Sequence, residues 1–389
     1  MNTPIGNSLV LFFVAIHTTC VIGQETDRPR LHDLGIRIGK LDPGPLNSIS
    51  DVAGVRVGHA TIVEGDDVRT GVTAIVPHAG NLFHQKVRAG VFVANAFGKA
   101  AGLFQVKELG TIETPIILTN TLNVGTAIQA VTKWTMDQPG NESVRSVNSV
   151  VGETNDGFLN DIRGQHVTEQ PVWEAIENAR RGAVDEGSVG AGTGTMALGF
   201  KGGIGTASRK LNAEQGGYTV GALVQTNFGG SLLISGVPVG ERIRELSANK
   251  QSFAPVNPTE EFGSIMIILA TDAPLSDRNL NRLAFRAVGG LARTGASLSN
   301  GSGDFVIAFS TANLVEDTPK VAVGQTTELH NNFMSLLFQA AMESVEEAIL
   351  NSLLKATTVK GFEDHTGRAI PVDQLLKVIE QVQPGLIDN

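Results

Sequence analysis

Apolar and polar positions fall in blocks along this chain, and the sharpest change comes at 262–264. A charged, turn-like segment, Pro258-Thr259-Glu260-Glu261-Phe262, runs through Gly263-Ser264 into Ile265-Met266-Ile267-Ile268-Leu269-Ala270-Thr271. An almost wholly apolar run of that length predicts a buried strand. Buried strands are also predicted at 72–77, 91–95 and 305–309, and another at 218–225 that ends in Thr226-Asn227-Phe228-Gly229-Gly230. Residues 34–63 alternate short apolar runs with Gly and Asp, which reads as brief strands joined by turns.

Helical spacing replaces strand spacing elsewhere. Val124, Ile128, Val131 and Trp134 lie on one face of a predicted helix at 123–136, and 172–184 reads as a second, more polar one. A turn and helix cap at 272–276 precedes a stripe of Leu280, Leu283, Ala287, Val288 and Leu291, which Gly295 can stop. The longest helix is predicted at 333–354. Residues 236–261, charged and containing Ser and Pro, read as a linker. Strands and helices alternate without a repeating unit, which predicts a mixed α and β fold with helices layered on sheet.

Composition narrows the partners. The 389 residues are 41% hydrophobic and 18% charged, enough for one large domain or two closely packed ones. A net charge of −9 with Tyr 1 and Trp 2 argues against nucleic acid or an anionic membrane as a partner. Glycine is so dense at 187–205 that backbone there must pass close to another strand or a ligand. Gly190-Ala191-Gly192-Thr193-Gly194 lacks both the lysine of a phosphate loop and the spacing of a dinucleotide fingerprint, so close backbone packing is the better account.

An apolar stretch at 8–23, followed by Gln24-Glu25-Thr26-Asp27, has the length of an export signal with Val21 and Gly23 before a cut. Residues 1–7 carry no Lys or Arg, so an N-terminal membrane anchor is the alternative. Export places the protein in the periplasm or outside the cell. The only cysteine, Cys20, lies in this stretch, so a mature chain has no disulfide, cysteine nucleophile or thiolate metal site. His59, His78, His84, His166, His330 and His365 show no metal-ligand spacing and no HExxH occurs, so no cofactor or metal is expected.

Candidate chemistry gathers at strand ends. Ser264 follows a glycine that puts no side chain between its hydroxyl and the preceding carbonyl, so the chain could cut itself between Gly263 and Ser264. The new amino-terminal serine would then hold nucleophile and base in one residue, its α-amine having a reference pKa near ~8. Ser302 could hydrogen-bond that amine or hydroxyl, and Asp304 could orient Ser302; a plain Gly-Ser-Gly-Asp turn explains the same letters. Asn227 could donate to an oxyanion, although Asn before glycines is also ordinary turn chemistry. In Val150-Val151-Gly152-Glu153-Thr154-Asn155-Asp156-Gly157, an acidic side chain could hold a substrate ammonium, with Glu153 ahead of Asp156; a solvated turn or helix cap is the alternative.

Taken together, the ordered blocks DVAGVRVGHATI, GVTAIVP, ETPIILTNTLNVG, VVGETNDGFLND, VGAGTGTMALGFKGGIGTASR, GALVQTNFG, GSIMIILATDAPL and SGDFVIAFSTAN, spread over about 33–379, resemble one family. It is the self-cleaving serine aminopeptidases, which include L-aminopeptidase D-amidase/D-esterase and the β-peptidyl aminopeptidases. The resemblance implies a four-layer αββα sandwich like that of N-terminal nucleophile hydrolases, with its own connectivity. It also implies an α chain (24–263) and a β chain (264–389) of one domain behind a signal peptide (1–23), assembled as a tetramer of αβ units. Ser264 matches the nucleophile, Ser302 and Asp304 the assisting hydroxyl and carboxylate, Asn227 the oxyanion donor and Glu153 the holder of the substrate amine. Asp304 is shorter than the glutamate some members carry, and Asn155 stands where some use a tyrosine near the nucleophile.

The expected activity is release of N-terminal residues from short peptides, amides or esters through an acyl-enzyme on Ser264. Two alternatives remain open at the level of sequence. One is a related amidase or acyltransferase acting on ω-amino amides or N-acyl amino acids; the other is an exported binding protein that kept the fold and lost the chemistry.

Overall fold

The computed structural model describes residues 28–246 and 262–387. The leader at 8–23 and the stretch 247–261, with its Pro258-Thr259-Glu260-Glu261, lie outside the described residues. In chain order the main strands are β1 (Arg56–Glu64), β2 (Val68–Val76), β3 (Gln85–Ala96), β4 (Thr111–Ile112), β5 (Ile116–Asn120), β6 (Val150–Thr154), β7 (Ile204–Lys210), β8 (Thr219–Asn227), β9 (Phe262–Thr271) and β10 (Gly301–Glu316). The helices are α1 (Leu103–Leu109), α2 (Val124–Met136), α3 (Glu169–Glu177), α4 (Val239–Leu246), α5 (Asp277–Arg293), α6 (Met334–Lys355) and α7 (Val372–Val382).

One sheet has four strands in the order β1-β2-β5-β6, and the other has six in the order β4-β3-β10-β9-β8-β7. The apolar run that stood out in the sequence is β9, in the middle of the larger sheet. Its alternation sorts the layers: Ile265, Ile267 and Leu269 face a core shared with α5 and α6, while Met266, Ile268 and Ala270 face the smaller sheet. On the far side of that sheet, Val72, Ala74 and Ile117 pack with Ala127 and Val131 of α2 and with Val172 and Ala175 of α3. Helices, sheet, sheet and helices thus stack as αββα.

The densely glycine stretch is explained by close approach. A β-carbon on Gly205 would lie 1.9 Å from the Ala348 carbonyl oxygen of α6, so only a bare backbone lets this helix sit on β7. Helix α6 also buries Glu343 and Glu347, which its sequence alone does not account for. Buried Arg209 of β7 bridges them, at 3.1 Å from Glu343 Oε2 and 2.7 Å from Glu347 Oε2. Glu343 further accepts the N–H groups of Lys40 and Leu41, tying the N-terminal segment to the C-terminal part of the chain.

Several sequence expectations change in detail. The region 236–261 is not all linker, because Val239 and Ile243, one helical turn apart, are buried and hold α4 against the core. The helix expected at 172–184 runs instead from Glu169 to Glu177. Ser276 stands at the N-cap of α5, but its hydroxyl donates to Glu328 rather than to the helix backbone. Residues 34–63 hold short helical turns and a single long strand rather than several brief ones. Among the described residues no helix is long and apolar enough to cross a membrane.

Candidate active site

Pairing in the larger sheet gathers residues that are far apart in sequence. Ser264, near the start of β9, lies opposite Asn227 of β8 on one side and Gly303 of β10 on the other. It is buried. Its hydroxyl donates to the Gly263 carbonyl oxygen at 2.7 Å and accepts the Gly303 N–H at 3.3 Å. The Ser264 oxygen therefore rests against the carbonyl just upstream of it. A β-carbon on Gly263 would come within 2.7 Å of Phe228 Cα and 2.8 Å of the Asn227 carbonyl oxygen, so the junction closes this tightly only with glycine.

Ser302 and Asp304 flank the same peptide on β10, in register with Gly263 and Ile265. Alternation sends them to the other side of the sheet, since their neighbours Val306 and Ala308 face the helices whereas Phe305 and Ile307 face the smaller sheet. Ser264, in step with Met266 and Ile268, has its side chain on the smaller-sheet face, so the Ser302 and Asp304 side chains lie across the sheet from its hydroxyl. Ser302 donates to Asp304 Oδ1 at 2.5 Å, while the buried Oδ2 of Asp304 has no hydrogen-bond partner. Burial raises the Asp304 pKa, and the Ser302 hydrogen bond only partly opposes that. Opposite, pairing passes from Asp304↔Asn95 to Phe305↔Val93, so Ala94 is a bulge that re-aims the strand beside the site.

Asn227 is fixed in orientation. Its Oδ1 accepts the Met196 N–H at 3.0 Å, which leaves Nδ2 as the end available to donate. Glu153, at the end of β6, is 1% exposed, with Oε1 accepting the Lys99 N–H at 3.0 Å and Oε2 accepting the Thr121 hydroxyl. Gly98 links it to Ser264. A β-carbon on Gly98 would lie 3.2 Å from Glu153 Oε1, one on Gly303 would lie 3.0 Å from Gly98 Cα, and Gly303 is the residue bonded to Ser264.

The other two residues of that segment stand apart. Asn155 is exposed and its Oδ1 accepts the Gly157 N–H at 2.9 Å, a local turn. Asp156 is 2% exposed and turned inward, accepting Thr70 Oγ1 at 2.6 Å and Asn160 Nδ2 at 3.0 Å. Burial lifts its pKa to about 6 against these hydrogen bonds. Glu153 thus packs through Gly98 and Gly303 toward Ser264, whereas Asp156 is an internal brace. The groups that sequence reasoning missed are the Gly303 and Met196 N–H donors, which have no letter of their own, and Thr121, which stands among polar residues of no distinctive spacing. Among the described residues no group of three or more His, Cys, Asp or Glu side chains is placed to hold a metal ion.

Known proteins place this geometry in context. Residues 47–367 match the model of peptidase family S58. The chain is 40% identical over 381 residues to the β-peptidyl aminopeptidase BapA of Sphingosinicella microcystinivorans, covering 92% of this chain and 93% of that protein. Among solved structures, a Pyrococcus horikoshii OT3 protein superposes with a TM-score of 0.85 at 48% identity, over 91% of this chain and 100% of the other. The L-aminopeptidase D-Ala-esterase/amidase of Ochrobactrum anthropi, described as a prototype of the serine aminopeptidases and a new variant of the Ntn hydrolase fold, superposes with a TM-score of 0.84 at 38% identity. That match covers 93% of this chain and 100% of the other.

Proposed function

The chain belongs to peptidase family S58, and from that premise we propose that it opens its own Gly263–Ser264 bond and then works as an aminopeptidase through the freed Ser264. It is a serine hydrolase with a variant of the Ntn hydrolase fold. The observation that carries the proposal is the Ser264 hydroxyl held 2.7 Å from the Gly263 carbonyl oxygen in a buried strand. In self-cleavage Oγ attacks the Gly263 carbonyl carbon, and the C–N bond breaks as the nitrogen takes up a proton. The resulting ester on Oγ is hydrolysed by water. The Ser264 nitrogen, no longer held in a peptide plane, can then turn toward Ser302, whose hydroxyl is oriented by Asp304.

In turnover the same Oγ attacks the scissile carbonyl of a substrate, with the α-amine as base. Asn227 Nδ2 donates to the oxyanion, a contact worth about 3 kcal/mol. An acyl-enzyme forms, the amine product leaves, and water returns the free serine. Glu153 supports a free-amine requirement because each of its oxygens has one donor from the protein and acceptor capacity left for an ammonium. A short substrate follows, since an anchored chain end beside the nucleophile leaves no path for an internal bond. We further propose that Asn155 and Asp156 shape the turn behind Glu153, that the apolar leader directs export to the periplasm or beyond, and that αβ units assemble as tetramers.

Aminoacyl p-nitroanilides with free and with acetylated amines test the substrate reading. Hydrolysis only of the free amines is expected, with Glu153→Gln raising KM more than it lowers kcat. Equal rates on blocked substrates contradict it and favour an amidase of N-acyl substrates.

A further inference from the structure

A small hairpin beside Asn227 has features that the chemistry above leaves unused. Met196–Ala197 pairs with Phe200–Lys201 across the turn Leu198-Gly199, where both residues have positive φ, 53° and 85°. Such turns are normally given to Asn and Gly. A leucine there is held in a conformation that its β-carbon resists. The turn persists because Leu198 is buried in the helix-side core and its N–H donates to the Phe228 carbonyl at 2.8 Å. Together with the Met196 N–H on Asn227 Oδ1, that bond fastens the hairpin over the end of β8.

Lys201 closes the base of the same hairpin. It is wholly buried, and its Nζ donates to the carbonyl oxygens of Gly192 and Gly202, each at 2.8 Å. Its own N–H donates to the Arg368 carbonyl at 2.7 Å. One side-chain nitrogen therefore joins the two ends of the loop 192–202 that carries Met196. A buried lysine is costly to the fold, and burial pulls its pKa down to about 7 while the charge of Asp156 opposes that. An apolar residue would fill the space without that cost but could not bind both carbonyl groups.

We propose that Lys201 is a positioning residue for the reaction: by clamping the base of the 196–201 hairpin it keeps the Met196 N–H on Asn227 Oδ1, and so keeps Asn227 Nδ2 turned toward the carbonyl that Ser264 attacks. It touches no substrate. The inference rests on Asn227 being the oxyanion donor. Without the clamp the hairpin loosens, the Asn227 amide turns about its terminal torsion, and the donor is no longer preorganised.

The test is a double-mutant cycle of wild type, Asn227→Ala, Lys201→Met and the combined variant. Each is assayed for kcat and KM on an aminoacyl p-nitroanilide and, by intact mass, for the rate of chain opening, which serves as the readout wherever opening stalls. Asn227→Ala is expected to slow the reaction on the order of 10²-fold or more. Lys201→Met is expected to lower kcat about 10-fold with KM within about 2-fold. The combined variant should be no slower than Asn227→Ala, because a clamp has nothing to hold once the amide is gone. Losses that multiply overturn the clamp and leave Asn227 as the donor. An Asn227→Ala protein as fast as wild type overturns the reading of Asn227, and the clamp with it. Lys201→Gln, which keeps two N–H donors on a shorter stem, covers the case in which the methionine variant does not fold; an intermediate loss, again absent in the Asn227→Ala background, is expected, and an additive one contradicts the proposal.

Discussion

Asp304 and Asp156 are both buried carboxylates, each accepting a hydroxyl hydrogen bond, from Ser302 two residues back on the same strand and from Thr70 on a neighbouring strand, and burial raises the pKa of both. They differ in what is left over. Asp156 has both oxygens filled, by Thr70 and Asn160, inside a closed network that Asn120 extends through Thr70. Asp304 has one oxygen filled and one buried without a partner, on the strand beside the Gly263–Ser264 peptide. A buried polar atom without a partner is costly, so a fold keeps one where a group arrives later or the chemistry uses it. By that difference Asp156 is a brace of the fold and Asp304 the carboxylate proposed to serve the site, although the two look alike in the sequence.

The widest separation should come at the nucleophile. Ser264→Ala is expected to remove hydrolysis, a loss on the order of 10⁶ in kcat. Its melting point should stay near that of wild type, because the alanine fills the same strand position; turnover and a thermal melt check both halves. The two carboxylates can then be set against each other. Asp304→Asn should lower kcat/KM by about 10²-fold, since it removes a participant in proton movement, with little change in melting. Asp156→Asn should do the reverse. Its one carbonyl oxygen cannot serve both Thr70 and Asn160, so denaturant unfolding should report a loss of about 1–3 kcal/mol while the folded protein keeps its rate to within a few-fold. Swapped outcomes would break the comparison.

The smallest expected effect is a tilt of stability with pH. Asp156 titrates at about 6 in the fold against an ordinary 3.8, so between those values the native state holds a proton that the unfolded state has lost. Its contribution to stability is therefore full at low pH and declines as pH rises from ~4 to ~6. Lys201 has the opposite sign. With a folded pKa of about 7 against 10.5, the unfolded state holds the extra proton, and stability rises with pH between those values. Melting curves should show the first tilt vanish in Asp156→Asn and the second in Lys201→Met.

Much of this was legible from residue patterns. The run at 265–271 is a central strand because both of its faces are covered, and the helices expected at 123–136 and 333–354 lie within about a residue of α2 and α6. The strand-end polar residues were also visible one by one. What the sequence could not show was their order in the sheet, in which β10 and β8 flank β9 although other elements separate them along the chain. Nor could it show that Glu153 faces the site while Asp156, three residues on, turns inward, since that depends on where β6 ends. The charged letters of α4 hid the spacing of Val239 and Ile243, and the buried glutamates of α6 make sense only once Arg209 is placed between them.

The central claim is that Ser264 cuts the bond before it and then serves as the nucleophile. Intact mass and amino-terminal sequencing of purified wild-type and Ser264→Ala proteins test it most directly. The account predicts two polypeptides from the wild type, the smaller beginning at Ser264, and one unbroken chain from the variant. An unbroken wild-type chain that hydrolyses aminoacyl substrates, or a variant that still divides at Gly263, would contradict it.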